Sequence, residues 1–408
     1  MGELNPLTEQ RLARDRERVV ELTRDLVRIR SVWDGEGSSG EAAVASYIAQ
    51  RLTRMGIEIH VDEVKPGRPN VVGIIDSKQA GPTLLFDAHM DVVTEGDRGS
   101  WRFDPFGGEI EDGRILGRGA GDTKGNLAAA IVAVESLLED REQFIGRIVL
   151  SFPCDEEGLM IGVKHFIRHR LAMGIDSAII CEPEANQVCL AQKGAIRAYL
   201  RTFGRMAHGA MPLQGANPIP SMARLLLELE ALELDEQRRT GQDPYLGWPS
   251  ITPTVLKAPV VGEAQINVIP DQCVAGLDIR TLPEQGHTDL VARIQSLLVS
   301  PALASEVRAT LEILEDRPST RTDPTLPIVR AVCEAVTAAT GQAPVFNGVP
   351  GATDGTFLHL AGVPIVTIGA GDRDLPHQAN EYVEIVELAA TVQIYRAAAL
   401  RYLEQDRV

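Results

Sequence analysis

Aromatic residues are scarce, at 4% of the 408 positions, so aliphatic side chains must build the core. The five cysteines, Cys154, Cys181, Cys189, Cys273 and Cys333, form no C-x-x-C pair, and their number is odd. Most sit in apolar runs, which predicts reduced, buried thiols in a cytoplasmic protein rather than a disulfide framework. Positive charge is in deficit: the net charge is −17, which argues against a nucleic-acid partner. No run approaches the length of a transmembrane helix. The charged N-terminus lacks the apolar core of a signal peptide, and Pro6 stands where a myristoylation motif wants Ser or Thr. There is no G-x-S-x-G elbow, and GRGAG lacks the lysine spacing of a phosphate loop.

What is present is a soluble composition, 44% apolar and 24% charged, in a chain longer than one core normally serves. Helical periodicity marks residues 7–29, 41–55, 325–340 and 386–404, with a strong helix former from Lys124. Between them lie apolar runs at Ile57–Val61, Val71–Ile75, Thr83–Phe86, Ile148–Pro153, Ala178–Cys181 and Val363–Ile368. That alternation predicts an α/β domain with a mixed sheet flanked by helices. Near Gly194 the pattern changes. Strands at 196–203, 251–261, 273–280 and 307–314 enclose helices at 218–234 and 287–298. The order β-α-β-β-α-β is a ferredoxin-like α+β unit. The expected organisation is a discontinuous catalytic domain, residues 1–194 and 317–408, interrupted by an inserted domain at 195–316.

Several of these apolar runs stop at carboxylates. Ile148–Pro153 leads into Asp155, Glu156 and Glu157, and Ala178–Cys181 leads into Glu182. Crowded carboxylates repel one another unless a cation or proton relieves them. Thr83–Phe86 runs into His89 and Asp91, whose i, i+2 spacing turns both to one side of an extended chain. On its own H-x-D is weak, since an ordinary loop histidine has the same pattern. Asp122, in GRGAGDTKG, reads equally as a helix cap. His377, past the last apolar run, and His208, in a Gly- and Pro-rich loop of the insert, carry no local signal. His165 and His169 have metal-binding i, i+4 spacing, but Lys164 and Arg168 beside them would repel a cation. As a set, His89, Asp122, Glu157, Glu182 and His377 are N/O donors at strand ends or adjoining turns. That is the inventory for two divalent ions sharing one bridging carboxylate, with Glu156 left over beside them.

Order and wording together resemble the zinc-dependent amidohydrolases of the aminoacylase, acetylornithine deacetylase, succinyl-diaminopimelate desuccinylase and glutamate carboxypeptidase family. The resemblance runs from about residue 10 to the C-terminus. It rests on the blocks FDAHMDVV, WRFDPFGGEIEDGRILGRGAGDTKGN, FPCDEEGLMIG, CEPE, GRMAHGAMPLQGANPI, INVIPDQCVAGLDIRTLP, GATDGTFL and GAGDRDLPHQANEY. It implies that His89, Asp122 and Glu182 hold one metal, and that Asp122, Glu157 and His377 hold the other. Zinc would be the metal, with cobalt or manganese as alternatives. It further implies that Asp91 orients His89, that Glu156 is the general base, and that His208 stabilises the oxyanion from its own or a partner subunit. Arg280 would grip a substrate carboxylate and Asn267 would contact substrate. The insert would be a lid that commonly dimerises. Ala88, Gln378 and Gly355 depart from the residues usual beside the site, which bears on substrate identity. Asp155 is left as a strand-end turn residue.

The expected activity is hydrolysis of the amide of an N-acyl amino acid or small peptide-like substrate bearing a carboxylate. Glu156 would take the proton of the attacking water and return it to the leaving nitrogen. A second reading keeps the scaffold but cleaves a non-peptide C–N bond, such as an aryl amine, carbamoyl or amidine group. A third, a catalytically silent binding protein, conflicts with the complete set of donors and base.

Overall fold

Apolar runs that end in turn residues become the strands of a mixed sheet. A computed structural model describes residues 6–35, 38–140, 143–169, 174–299 and 307–404. The chain divides into two compact units. One is Met1–Leu190, Thr322–Asn347 and Thr353–Val408; the other is Ala191–Arg321 with Gly348–Ala352.

At the centre of the first unit, Arg147–Phe152, Thr83–Asp87, Ser177–Ile180 and Ile365–Thr367 lie side by side in that order, all parallel. Arg68–Asp76 and Glu58–Lys65 extend the sheet antiparallel on one side. Val188–Gln192 meets the last central strand antiparallel through Cys189 and Thr367. Leu84, Phe86, Ile148, Leu150 and Ile179 enter one apolar cluster, while Leu85, Val149, Ala178 and Ile180 enter the other. Strands buried on both faces read as unbroken apolar runs, which is why they stand out in the sequence.

Helix Lys124–Glu139 packs against Pro6–Arg28 and Ile385–Glu404 on one face of the sheet, and Pro327–Thr340 packs on Ile385–Glu404. Every residue from Leu127 to Val134 is buried, as expected of a helix that is apolar all round. Ile161–Arg168 and Gly355–Leu360 cover the opposite face through Val163, Phe166 and Leu358. The helix Ile161–Arg168 begins just after Met160, which takes a left-handed turn (φ 53°). Between Asp91 and Lys124 the strand Glu109–Glu111 pairs with Arg114–Leu116, which pairs in turn with Tyr382–Glu384. Such long-range pairing leaves no local pattern.

In the second unit the strands run Ser250–Lys257, Gln272–Thr281, Gly194–Phe203 and Arg308–Arg317, all antiparallel. With helices Pro218–Thr240 and His287–Leu297 this is the ferredoxin-like arrangement. Ile196, Ala198, Leu200, Met222, Leu225 and Leu290 form its core. All five cysteines are free, and burial pushes the Cys189 thiol up to about 12. Among the described residues no helix is long and apolar enough to cross a membrane.

Candidate metal centre

Parallel strands bring their C-terminal ends to one rim, so the residues that follow them converge there. After Thr83–Asp87 the chain stays extended, with Ala88 N–H donating to Ser151 O and Met90 N–H to Pro153 O, each at 3.0 Å. His89 and Asp91 therefore face one side. Glu156 and Glu157 follow the strand Arg147–Phe152, and Glu182 follows Ser177–Ile180. His377 lies in the loop after Ile365–Thr367 with φ 68°, a conformation that L residues rarely adopt and that costs on the order of 1–3 kcal/mol. Asp122 comes from the glycine-rich turn before Lys124–Glu139.

The donor atoms of His89, Asp122 and Glu182 lie within 4.8 Å of one another, and so do those of Asp122, Glu157 and His377. Asp122 divides its carboxylate between the two groups. Its Oδ1 is 3.1 Å from His89 Nε2, and its Oδ2 is 3.6 Å from His377 Nε2. Glu182 Oε1 is 3.9 Å from His89 Nε2, and Glu157 Oε2 is 2.8 Å from His377 Nε2. His89, Glu156 and Glu182 are buried, whereas the His377 side chain is 56% exposed and marks the open side.

Charge here is unbalanced. Burial pushes the Glu182 carboxyl far above the usual range, opposed by His89 and reinforced by Asp122, Glu156 and Glu157. Burial, with Asp122 next, also raises Glu157. Burial works against a proton on His89, but Glu182, Asp122 and Asp91 outweigh it and hold the imidazole well above its ordinary value. The hydrogen bond to Glu157 raises His377 to about 9. Protonated histidines thus supply the only cations the donor set itself contains. A divalent ion in each group of donors would replace those protons with two charges apiece, so the donor chemistry fits a metal pair.

Supporting residues explain why the turns hold. His89 Nδ1 bonds the Asp91 backbone carbonyl at 3.0 Å, and the Asp91 carboxylate lies farther off, with Oδ1 at 3.7 Å. That carboxylate instead accepts the backbone N–H groups of Glu156 and Glu157, both at 3.1 Å. Glu381, missed in the sequence, accepts from the N–H groups of Gly119, Gly121 and Asp122 at 2.9, 3.1 and 3.1 Å, and pairs with buried Arg118. Gly119 must be glycine: φ is 84°, and a Cβ would sit 2.7 Å from Val92 Cγ1. Asp354 is fully buried behind the site, with neither carboxylate oxygen hydrogen-bonded among the described residues. Burial and the charges of Asp87 and Glu156 raise it well above the carboxylate range. Only its place in the block GATDGTFL could have flagged it.

The remaining sequence candidates belong to neither donor group. His165 and His169 stack with ring centroids 4.0 Å apart and join neither donor group. His208, Asn267 and Arg280 belong to the second unit. His208 is exposed on the short strand Ala207–His208, paired with Val268–Ile269, and its Nδ1 accepts the Ala210 N–H at 3.0 Å. Asn267 is exposed, and its carbonyl accepts the Gly209 N–H at 2.7 Å. The Arg280 guanidinium forms a fork on Asp278, at 2.6 and 3.1 Å.

An α/β sheet whose strand ends carry two donor groups sharing an aspartate, beside a spare carboxylate, has the build of a metal-dependent hydrolase. The chain belongs to peptidase family M20/M25/M40, which it matches over residues 85–401. It is 31% identical over 398 residues to a succinyl-diaminopimelate desuccinylase of Rhodospirillum centenum, covering 94% of this chain and 97% of that one. Its fold is similar to that of human carnosine dipeptidase 1, with a TM-score of 0.78, 16% identity and coverage of 98% and 100%. A family M20 metallo-carboxypeptidase from Sulfolobus solfataricus gives a TM-score of 0.77, 19% identity and coverage of 95% and 99%. The protein is thus a hydrolase of the amide-cleaving peptidase type.

Proposed function

We propose that the protein is a dinuclear metalloenzyme that hydrolyses the amide of an N-acyl amino acid or small peptide-like substrate carrying a free carboxylate. The division of the Asp122 oxygens between two histidine-containing donor groups, with Glu156 beside them, carries this reading. His89, Asp122 and Glu182 would hold one ion and Asp122, Glu157 and His377 the other. An N/O donor set of this kind favours zinc, with cobalt or manganese as substitutes. Ions bound there supply Lewis acidity and bring the pKa of water to about 7. Glu156 accepts the proton as the water attacks the amide carbon and returns it to the leaving nitrogen.

His208 is assigned as an oxyanion donor. Because Nδ1 accepts a backbone N–H, the neutral ring carries its proton on Nε2, the form that donates. Arg280 is assigned to the substrate carboxylate and Asn267 to a further substrate contact. We also assign a cytoplasmic homodimer built through the second unit. Its edge strand Ser250–Lys257 exposes Val255 and Leu256, and exposed apolar edges invite pairing.

Two outcomes are expected. Loading apo protein with zinc at pH 7 should release protons, because His89 and His377, both held above their ordinary value, must be neutral to ligate. The sign is that affinity weakens as pH falls below their raised values. Calorimetry in buffers of differing ionisation heat measures this, and release of none would count against these ligands. A panel of acetyl, succinyl and aminoacyl amides, aryl amides and carbamoyl compounds tests the substrate class. Arg280→Ala should cost about 10- to 100-fold in kcat/KM on carboxylate-bearing substrates, the worth of one charged hydrogen bond, and nothing on their carboxamide analogues. Turnover of only the carbamoyl or aryl compounds would favour the non-peptide reading that Gln378 and Gly355 suggest.

A further inference from the structure

Asp155 is the one member of the acidic stretch with no part in the reaction, yet it is 5% exposed and sits at φ 66°. It lies at the centre of a second ionic cluster behind the site. Arg68, 4% exposed, places Nε 3.0 and 3.2 Å from the two oxygens of Glu41, and Nη2 2.5 Å from Glu41 Oε1. Its Nη1 binds Asp155 Oδ1. Glu41 is fully buried, and its Oε1 also accepts the Asp155 backbone N–H at 3.1 Å. Asp155 Oδ2 in turn accepts the N–H groups of Leu159 and Ile161 at 3.0 and 3.4 Å. The indole of Trp33 closes over the guanidinium, with its ring centroid 4.5 Å from the carbon.

Asp91 completes the frame from the other side by taking the N–H groups of Glu156 and Glu157. The backbone of 155, 156, 157, 159 and 161 is thus held by the carboxylates of Glu41, Asp91 and Asp155. Buried carboxylates so close would separate unless a cation joined them. Arg68 does so for Glu41 and Asp155, and its planar fork reaches both at once, which a lysine ammonium cannot do with the same geometry. The turn cannot shift without breaking an ion pair in a buried site, a change that is costly.

We infer that Arg68, through Asp155 and Glu41 and under Trp33, is a positioning residue that fixes the turn from which Glu156 and Glu157 project. This rests on the reading of Glu156 as general base and Glu157 as a ligand. Glu156 needs a defined distance to the water and the leaving nitrogen, so looseness in the turn should reduce turnover rather than substrate binding.

The test uses the full-length holoenzyme loaded with zinc, and separately with cobalt, whose visible spectrum reports ligand geometry. Arg68→Gln and Asp155→Asn should each lower kcat ~10- to 100-fold, the range typical of supporting partners at metal sites. KM should stay within about twofold, two ions per chain should remain, and the cobalt bands should shift. Arg68→Lys should recover part of the loss, and Trp33→Leu should show a smaller loss of the same kind. If Arg68→Gln does not fold, Asp155→Asn decides by the same readouts, since its amide oxygen still accepts the Leu159 and Ile161 N–H groups. The inference is overturned if kcat stays within twofold of wild type, or if the loss is wholly in KM or wholly matched by lost metal. Glu156→Gln, measured alongside, separates the two ideas. If it turns over normally, the general-base reading is lost. If it is inactive while the Arg68 and Asp155 variants work normally, only the positioning role is lost.

Discussion

Glu156→Gln is expected to retain both ions and to lose turnover by about 100- to 10,000-fold, the span that general acid–base catalysis supplies. The replacement is isosteric, and Glu156 belongs to neither donor group, so the five proposed ligands should keep their places. It is 8% exposed and close enough for its charge to raise both His89 and Glu182. Removing that charge relieves like-charge crowding, so the ion-free variant should melt slightly higher than ion-free wild type. The measurements are metal content by elemental analysis, kcat on the best amide of the panel, and thermal unfolding with and without chelator. A variant that keeps its ions and its turnover would remove Glu156 from the mechanism.

The second large effect is expected at Glu381, which holds the turn that carries Asp122. Its Oε1 gathers three N–H groups of the turn 119–122, and its Oε2 is 2.5 Å from Arg118 Nη1. Both partners are buried, at 1% and 2% exposure. Glu381→Ala would strand a buried guanidinium, with the Trp101 ring and the Thr94 carbonyl as its remaining company. Breaking one side of a buried pair typically costs about 3–5 kcal/mol. In a chain of this size that lowers Tm by about 4–6 °C. The Asp122 backbone is released at the same time, so affinity for both ions should fall about 10- to 100-fold. Glu381→Gln, which keeps an oxygen for the amides but no charge for Arg118, should fall between. Calorimetry and competition with a chelator read both effects, and unchanged melting with unchanged affinity would sink the account.

Glu381 also shows what the linear pattern hides. It sits in a polar loop, and its partners lie more than 250 residues away, at Gly119, Gly121 and Asp122. Arg68 and Glu41 are equally silent: each reads as a surface charge until Asp155 folds between them. By contrast, Glu156, Glu157 and Glu182 stand out because buried parallel strands are apolar throughout, so a carboxylate at their end has little reason to be there except at a site. Asp122 was ambiguous between a cap and a ligand. In the fold Thr123 takes the cap position, and the Asp122 carboxylate turns to His89 and His377.

The apolar periodicities alone are enough to require an α/β unit and a ferredoxin-like unit, because period and burial are local properties of side chains. The candidate donors were legible only as a set, because singly His89, Asp122 and His377 read as ordinary loop or capping residues. Which oxygen of Asp122 faces which histidine was settled only by tertiary structure. So was the engagement of the Asp91 carboxylate with two backbone amides, and the function of Asp155 as one arm of a buried ionic clamp. Those facts depend on residues far apart in sequence meeting at low dielectric, where a single unpaired charge is decisive and no local pattern records its partner.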